Sequence, residues 1–452
     1  RMREFLPDNL LKLADVCQFS LYIIGGSVRD YLCGFPVRDA DLDLCAAAEE
    51  EEMLSAAEKC GFKVRAVYRN TGTIKLEDEN GTGYEFTRFR SDKYVRGVHT
   101  PSEITFTSDM GTDARRRDFT CNAVYYDIGK GEFRDPLGGM SDIAQKCLRT
   151  VAPAKKVFGE DGLRLMRLCR LAAQLGFSPD GECLDGAREH ADLIRDIAPE
   201  RVFAELTQLL LSDTRHGFRD APYRGLCLMR DTGVLARVLP ELALGDGMKQ
   251  RPDFHDHDVL EHSFRCVRYS PPEIRFAALF HDVGKPFCMI RDGNYHAHAE
   301  EGTRLTEEIL GRLKAPKKLI RETARLVSLH MRDLDGKMKE SKIRREIVRD
   351  YDILPRLFAL RQADFSACKD DLSVAPSVKK WTAIVHEMQE EGVPFTLSAL
   401  AVNGKELQEA GVPVQKTAAA LADLLRYTAG NGARNRKEEL IRRAVSLFKE
   451  DL

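Results

Sequence analysis

The chain has 452 residues, 43% of them hydrophobic and 31% charged, with a formal net charge of −2 at pH 7. At ~150 residues per domain these proportions describe about three folded domains and exclude disordered and fibrous classes. No apolar run approaches the ~20 residues that span a bilayer, so no membrane partner is expected.

Twelve cysteines run from Cys17 to Cys368 without a single C-x-x-C pair. That spacing excludes a zinc ribbon and favours reduced, buried thiols in a cytoplasmic setting. The opening Arg1-Met2-Arg3-Glu4-Phe5, followed by Pro7-Asp8-Asn9, is read as lacking a secretory apolar core.

Asp8 opens a short helix over 8–18, and Ser20–Ile24 is a β-rich run ending at Gly25-Gly26. A helix-like stretch from Val28 to Leu32 is stopped by Gly34 and Pro36. Asp39-Ala-Asp-Leu-Asp-Leu44 alternates with period two, which predicts a strand with its carboxylates on one face. Glu49–Cys60 reads as a helix with an acidic first turn, as the helix dipole favours. Strand patterns return at Thr73–Leu76, Gly83–Phe89, Ile104–Phe106 and Ala123–Tyr126; after Pro153 helical patterns dominate.

Two glycines at the end of a strand let backbone approach a phosphate, with the next helix N-terminus aimed at the anion. Arg29 offers a forked donor to the same group. Asp39 and Asp41, at i and i+2, are placed to grip two divalent ions that polarise an α-phosphate and activate an attacking hydroxyl. Mg²⁺ suits such oxygen ligands. Asp43 falls on the same face and competes for the assignment. A polar strand face beside a Gly-rich turn is the plain alternative.

The run G-G-S-V-R-D-x-L-x-G-x-P-x-x-D-x-D, Gly25 to Asp41, resembles the head of class II tRNA nucleotidyltransferases, the CCA-adding enzymes, and bacterial poly(A) polymerases. These belong to the DNA polymerase β-like superfamily. The likeness continues through Arg115-Arg-Arg-Asp-Phe-Thr-Cys-Asn-Ala123, Asp135-Pro-Leu-Gly-Gly139 and Glu160-Asp-Gly-Leu-Arg164, with an echo at Leu400–Glu406. Counting ten and twelve residues beyond the motif arginine, as the family does, gives Asp39 and Asp41 as catalytic metal ligands. The resemblance also implies that Gly26 and Arg29 position the triphosphate and that Arg117 and Asp118 contact its sugar or phosphates.

Asp161, Arg164, Arg167 and Arg170 are spaced as one ridge of a helix, which could simply face solvent. An ionised Asp only accepts hydrogen bonds and Arg only donates. Cytosine and adenine both pair an exocyclic amine donor with a ring-nitrogen acceptor, whereas uracil and guanine present the reverse. The resemblance assigns base reading to Asp161 and Arg164, with Arg167 and Arg170 nearby. It implies CTP, ATP and the tRNA 3′ acceptor end as partners, and CCA addition as the activity. CC-only addition, A-only addition and poly(A) synthesis stay open. The family's flexible loop is present as Phe89–Pro101, but it is one residue shorter before Tyr94 and carries Arg96 where an Asp is usual.

Downstream, Glu261-His262, His281-Asp282, His296, His298, His330 and Asp364 mix imidazoles with carboxylates, a donor set for divalent metals. The pattern resembles the HD phosphohydrolase superfamily, which implies His262, His281, Asp282 and Asp364 as ligands of a possible second divalent metal. A metal-free scaffold is the alternative. An HD phosphohydrolase whose head merely binds nucleotide is a rival for the whole chain. Between Arg312 and Arg349 thirteen Lys or Arg stand against five Asp or Glu, either a solvated helical surface or an RNA-docking face.

The expected architecture is an α/β nucleotidyltransferase head of the DNA polymerase β-like kind (residues 1–150), followed by all-α parts. These are a helical neck (151–245), an HD body (246–375) and a helical tail (376–452).

Overall fold

The structure is a computed structural model that describes residues 2–95 and 100–448, the side chain of Ala40 apart. The chain divides into two compact units, Arg1–Ala243 with Arg312–Ala315, and Leu244–Gly311 with Pro316–Leu452. Among the described residues no helix is long and apolar enough to cross a membrane.

The first unit opens with nine strands: β1 (Tyr22–Ile24), β2 (Asp43–Ala46), β3 (Lys63–Tyr68), β4 (Thr73–Glu77), β5 (Gly83–Arg88), β6 (Arg90–Lys93), β7 (Glu103–Phe106), β8 (Tyr125–Asp127) and β9 (Glu132–Arg134). Seven form one mixed sheet in the order β3-β4-β5-β2-β1-β8-β9, and β6 pairs with β7. Within that sheet, among the described residues, β2 and β5 run parallel and the other neighbours are antiparallel. Ile23, Leu44, Phe86 and Tyr126, from four strands of the sheet, are fully buried. Alternation predicted β4, β5 and β7, whereas the half-exposed β3 and the charged β6 carry too little apolar signal to announce themselves.

The aspartate segment departs from expectation. Asp39–Asp41 is a turn of 3₁₀-helix, and the strand begins only at Asp43. The cause lies in the register: Ile24 pairs with Asp43, and Gly25 then leads the partner strand away into the helix Gly26–Leu32. Residues 39–41 have no ladder to join, so Asp41 N–H and Leu42 N–H turn back to the carbonyls of Arg38 and Asp39.

Helices follow from Ala154 in the same unit. Ala154–Glu160 and Leu163–Leu175 are separate helices, broken at Asp161-Gly162. A Cβ on Gly162 would sit 2.5 Å from the Leu193 carbonyl oxygen, so only glycine lets the break pack that closely. Every residue of Leu163–Leu175 is buried except Arg167, which rules out a solvent-facing charged ridge. Asp161 is not part of that ridge; it stands in extended conformation just before it.

The second unit is helical throughout its described residues. Val259–Tyr269, Arg275–Phe280 and Leu354–Lys369 pack together. Farther on, Ile343 of helix Glu340–Arg349 shares one hydrophobic core with Trp381, Leu407, Leu424 and Leu440. That helix therefore packs with the tail helices, although it precedes the boundary expected near 375.

Candidate active site

The strand-to-helix turn builds one wall of a cavity of about 1170 Å³. Gly25 has φ 88°, a left-handed conformation that side chains resist. A Cβ on Gly26 would lie 3.2 Å from Nη2 of Arg29. The buried Arg29 fork closes on Asp30 (3.0 and 2.7 Å) and donates to Asn122 Oδ1 (2.7 Å), so it braces the turn from beneath. Ser27, at the start of the following helix, lines the cavity with its hydroxyl buried and without a hydrogen-bond partner among the described residues.

Asp41 and Asp43 line this cavity; Asp39 does not, and its side chain faces outward. Of the pair counted from the motif arginine, Asp41 is in the cavity lining and Asp39 is not. The tight turn swings Asp39 outward, and the first residues of β2 bring Asp43 beside Gly25, whose Cβ position is 3.8 Å from Asp43 Oδ2. The Asp43 carboxyl opens on the cavity yet is surrounded by protein on its other sides. That desolvation, with the Glu85 and Asp41 carboxylates, pushes it up to about 6 against an opposing pull from Arg117. The Asp41 and Asp43 carboxylates on this wall form a hard-oxygen donor set that suits Mg²⁺.

Across the cavity lie Asp161 and Arg164. Asp161 Oδ1 accepts from the Leu163 N–H at 3.0 Å, and its second oxygen has no partner among the described residues. Arg164 donates to the carbonyls of Val157 (3.0 Å) and Arg116 (2.7 Å) and to Glu160 (3.0 Å). Those three bonds fix its guanidinium plane and leave two of its five N–H groups for a ligand. Its guanidinium lies 5.8 Å from the Tyr94 ring centre.

The remaining expected residues have structural partners. Asp118 is buried and accepts from Arg167 (2.7 Å), Asn122 (3.1 Å) and the Phe119 N–H (2.7 Å). Burial opposes its ionisation, but Arg167 and these donors hold it well below the usual carboxylate range. Arg117 donates to Asp113 and lies over Tyr125, and Arg170 is clasped by Glu205 and Gln174. All four line the cavity, Arg167 showing the most exposed face.

Among its described lining residues are nine arginines against five aspartates, a balance suited to a polyanion. Sequence reasoning missed Arg201, which is exposed there, and Arg215, whose Nη2 reaches Asp41 Oδ2 at 2.7 Å. Neither stands in a motif; only the packing of the neck onto the head reveals them. Arg96, singled out in the loop, lies outside the described residues.

In the second unit His262, His281, Asp282 and Asp364 converge, all buried. His262 Nε2 is 2.8 Å from Asp364 Oδ1 and 3.1 Å from His281 Nε2, and Asp282 Oδ2 is 3.3 Å from His281 Nε2. Asp364, expected only from its approximate position, belongs to the group. His296 is exposed and outside it.

Residues 21–149 match the poly A polymerase head domain family. Residues 176–244 match the family described as probable RNA and SrmB-binding site of polymerase A, and residues 259–360 match the HD domain. The CCA-adding enzyme of Bacillus stearothermophilus, solved in complex with CTP, is 24% identical over 97% of this chain and 96% of its own, with a TM-score of 0.68. The Thermotoga maritima CCA-adding enzyme complexed with tRNA_CCA is 17% identical over 97% and 94%, with a TM-score of 0.62. At these identities the two structures show a shared fold. An α/β nucleotidyltransferase head, a helical neck and an HD body in one chain define a class, the nucleotidyltransferases with an HD domain. The three matched domains and the shared fold match the class II CCA-adding enzyme and poly(A) polymerase family.

Proposed function

We propose that the protein extends the 3′ end of tRNA without a template, adding C, C and A from CTP and ATP and releasing pyrophosphate. The observation that carries this reading is one cavity holding both a carboxylate pair beside a glycine turn and, across from it, the Asp161–Arg164 pair. The first is a phosphoryl-transfer site; the second matches the donor–acceptor edge that C and A share. The solved relatives bound to CTP and to tRNA_CCA support it.

Asp41 and Asp43 would hold Mg²⁺, which supplies charge for the α-phosphate and lowers the pKa of the attacking tRNA hydroxyl. The chain itself does the placing. Gly25 and Gly26 admit the triphosphate against the backbone, Arg29 stiffens that turn, and Arg201 and Arg215 stand where its negative oxygens would come. Arg164, its plane fixed by three protein bonds, and the free oxygen of Asp161 orient the base. Uracil or guanine would leave those groups unpaired, at about 1–3 kcal/mol each.

Incubating the protein with tRNA lacking its CCA end, first with CTP and then with ATP, and sequencing the products tests the reading. Addition of C, C and one A is the expected result. Products ending in CC, or extended by A alone, assign partial addition. Long A tails on unrelated RNA assign a poly(A) polymerase.

A further inference from the structure

The basic run between Arg312 and Arg349 divides into two sets of side chains. Within the second unit Arg325 holds Asp350 and Asp352 (2.9 and 2.7 Å), Arg344 holds Glu391 (2.7 Å) and Arg349 holds Asp350 (2.5 Å). Lys337, Lys339, Lys342 and Arg345 have no carboxylate within ion-pair distance among the described residues. These four are not scattered over the surface. Together with Ser341, Asp333 and Asp335 they line one pocket of about 370 Å³.

The chain itself brings them together. Lys342 and Arg345 stand three residues apart on the helix Glu340–Arg349 and so share a face. Lys337 and Lys339 come from the segment before it, which the buried Asp333 ties down. Asp333 accepts from the Met338 N–H (2.7 Å), Lys380 Nζ (2.8 Å) and Trp381 Nε1 (2.9 Å). Lys380 also donates to the Gly336 and Met338 carbonyls at 2.9 and 3.1 Å. Asp333 is thus spent on Lys380 and the indole, not on the four pocket cations. Arg361 lies over the Trp381 ring at 4.3 Å, its guanidinium buried and without a hydrogen-bond partner among the described residues. A further unbonded positive charge therefore stands one residue behind the pocket wall.

Four converging cations repel one another, and a dense anion turns that repulsion into attraction. Lysine and arginine donors beside a hydroxyl suit phosphate oxygens. The volume falls in the range of small-molecule sites, roughly 300–1,000 Å³. Asp335, exposed in the lining, interrupts the unbroken basic track that a nucleic-acid strand follows. We infer that this pocket binds a small oligophosphate, inorganic or the phosphate chain of a nucleotide, at a site that the head chemistry does not use.

Trp381 is the single tryptophan of the chain and bonds a residue of the pocket wall, so its fluorescence reads this site. In full-length protein with chelator present, inorganic tripolyphosphate should change Trp381 emission along a saturable curve. Lys337→Ala/Lys342→Ala should move that curve at least ~10-fold to higher concentration, the scale of one lost charge-assisted bond. Lys337→Arg/Lys342→Arg should keep it, which separates charge from shape. ATP matching tripolyphosphate would assign the phosphates alone as what is read, and tighter ATP a nucleoside contact besides. A flat wild-type titration, or a curve that the alanine variant does not move, overturns the inference. So does weaker tRNA binding by the alanine variant with no response of the wild type to tripolyphosphate, which makes this face an RNA dock.

Discussion

Arg215 donates to Asp41 at 2.7 Å and also reaches Asp30 at 3.3 Å, so a neck side chain neutralises a head carboxylate. Its neighbour His216 stacks on Phe35 at 3.9 Å, anchoring the same short helix on the segment between the glycine turn and the aspartates. The guanidinium occupies the place a divalent ion would contest. Partly exposed pairs are worth about 0.2–1 kcal/mol, or roughly 1.5- to 5-fold in affinity. Arg215→Ala should therefore tighten Mn²⁺ binding to the nucleotide-free protein by that factor, measured by titration. Weaker binding would show that Arg215 supports the site instead of competing for it.

The three aspartates divide by position. Asp41→Asn and Asp43→Asn each remove charge from the cavity wall and should lower single-turnover CMP incorporation at least ~10³-fold, the scale of losing a key electrostatic group. Asp39→Asn, facing outward, should stay within about threefold of wild type. A collapse of activity in Asp39→Asn with retention in Asp43→Asn would restore the assignment counted from the motif.

The placement of Asp39 outside the cavity lining shows what is legible in a sequence and what is not. Gly25-Gly26 and the alternation of β4 and β5 are local signals, and each stands where its pattern says, whereas the Arg29 fork, expected on a phosphate, closes on Asp30 and Asn122. The face that Asp39 presents depends on a nonlocal fact, that β1 ends opposite Asp43 and leaves 39–41 unpaired. The period from Asp161 to Arg170 likewise runs through Gly162, where contact with Leu193 breaks the helix. Arg215 carries no motif at all. The His281-Asp282 dipeptide is a local signal, but its convergence with His262 and Asp364, and the division of Asp282 between two groups of histidines, required the packed helices.

Asp370 gives the second unit a pH dependence of definite sign. It accepts from Tyr269 (2.5 Å), Arg265 (2.8 Å) and His257 (2.9 Å). Burial alone would raise it, but these donors hold it at about 2. A carboxyl depressed on folding contributes stability that is complete above its ordinary value near 4 and is lost as pH falls toward 2. Asp370→Asn should thus lower Tm at pH 7, with the difference from wild type closing between pH 4 and 2. A gap that stays constant over that interval would mean the loss is one of shape, at a residue with φ 54°, and not of charge.

On the proposed reading, nucleotide choice rests on Asp161 more than on Arg164, because Arg164 is held in place by three protein acceptors. Asp161→Ala removes a carboxylate oxygen that has no partner among the described residues and is open to the exocyclic amine. The ratio of kcat/KM for CTP over UTP should then fall by about 5- to 150-fold, the equivalent of ~1–3 kcal/mol of lost discrimination. CTP itself should suffer chiefly in KM, since the carboxylates and the glycine turn are untouched. The measurement is single-nucleotide incorporation on tRNA lacking CCA, with each of the four triphosphates separately. An unchanged CTP-to-UTP ratio would separate Asp161 from base reading and leave selection to the shape of the cavity.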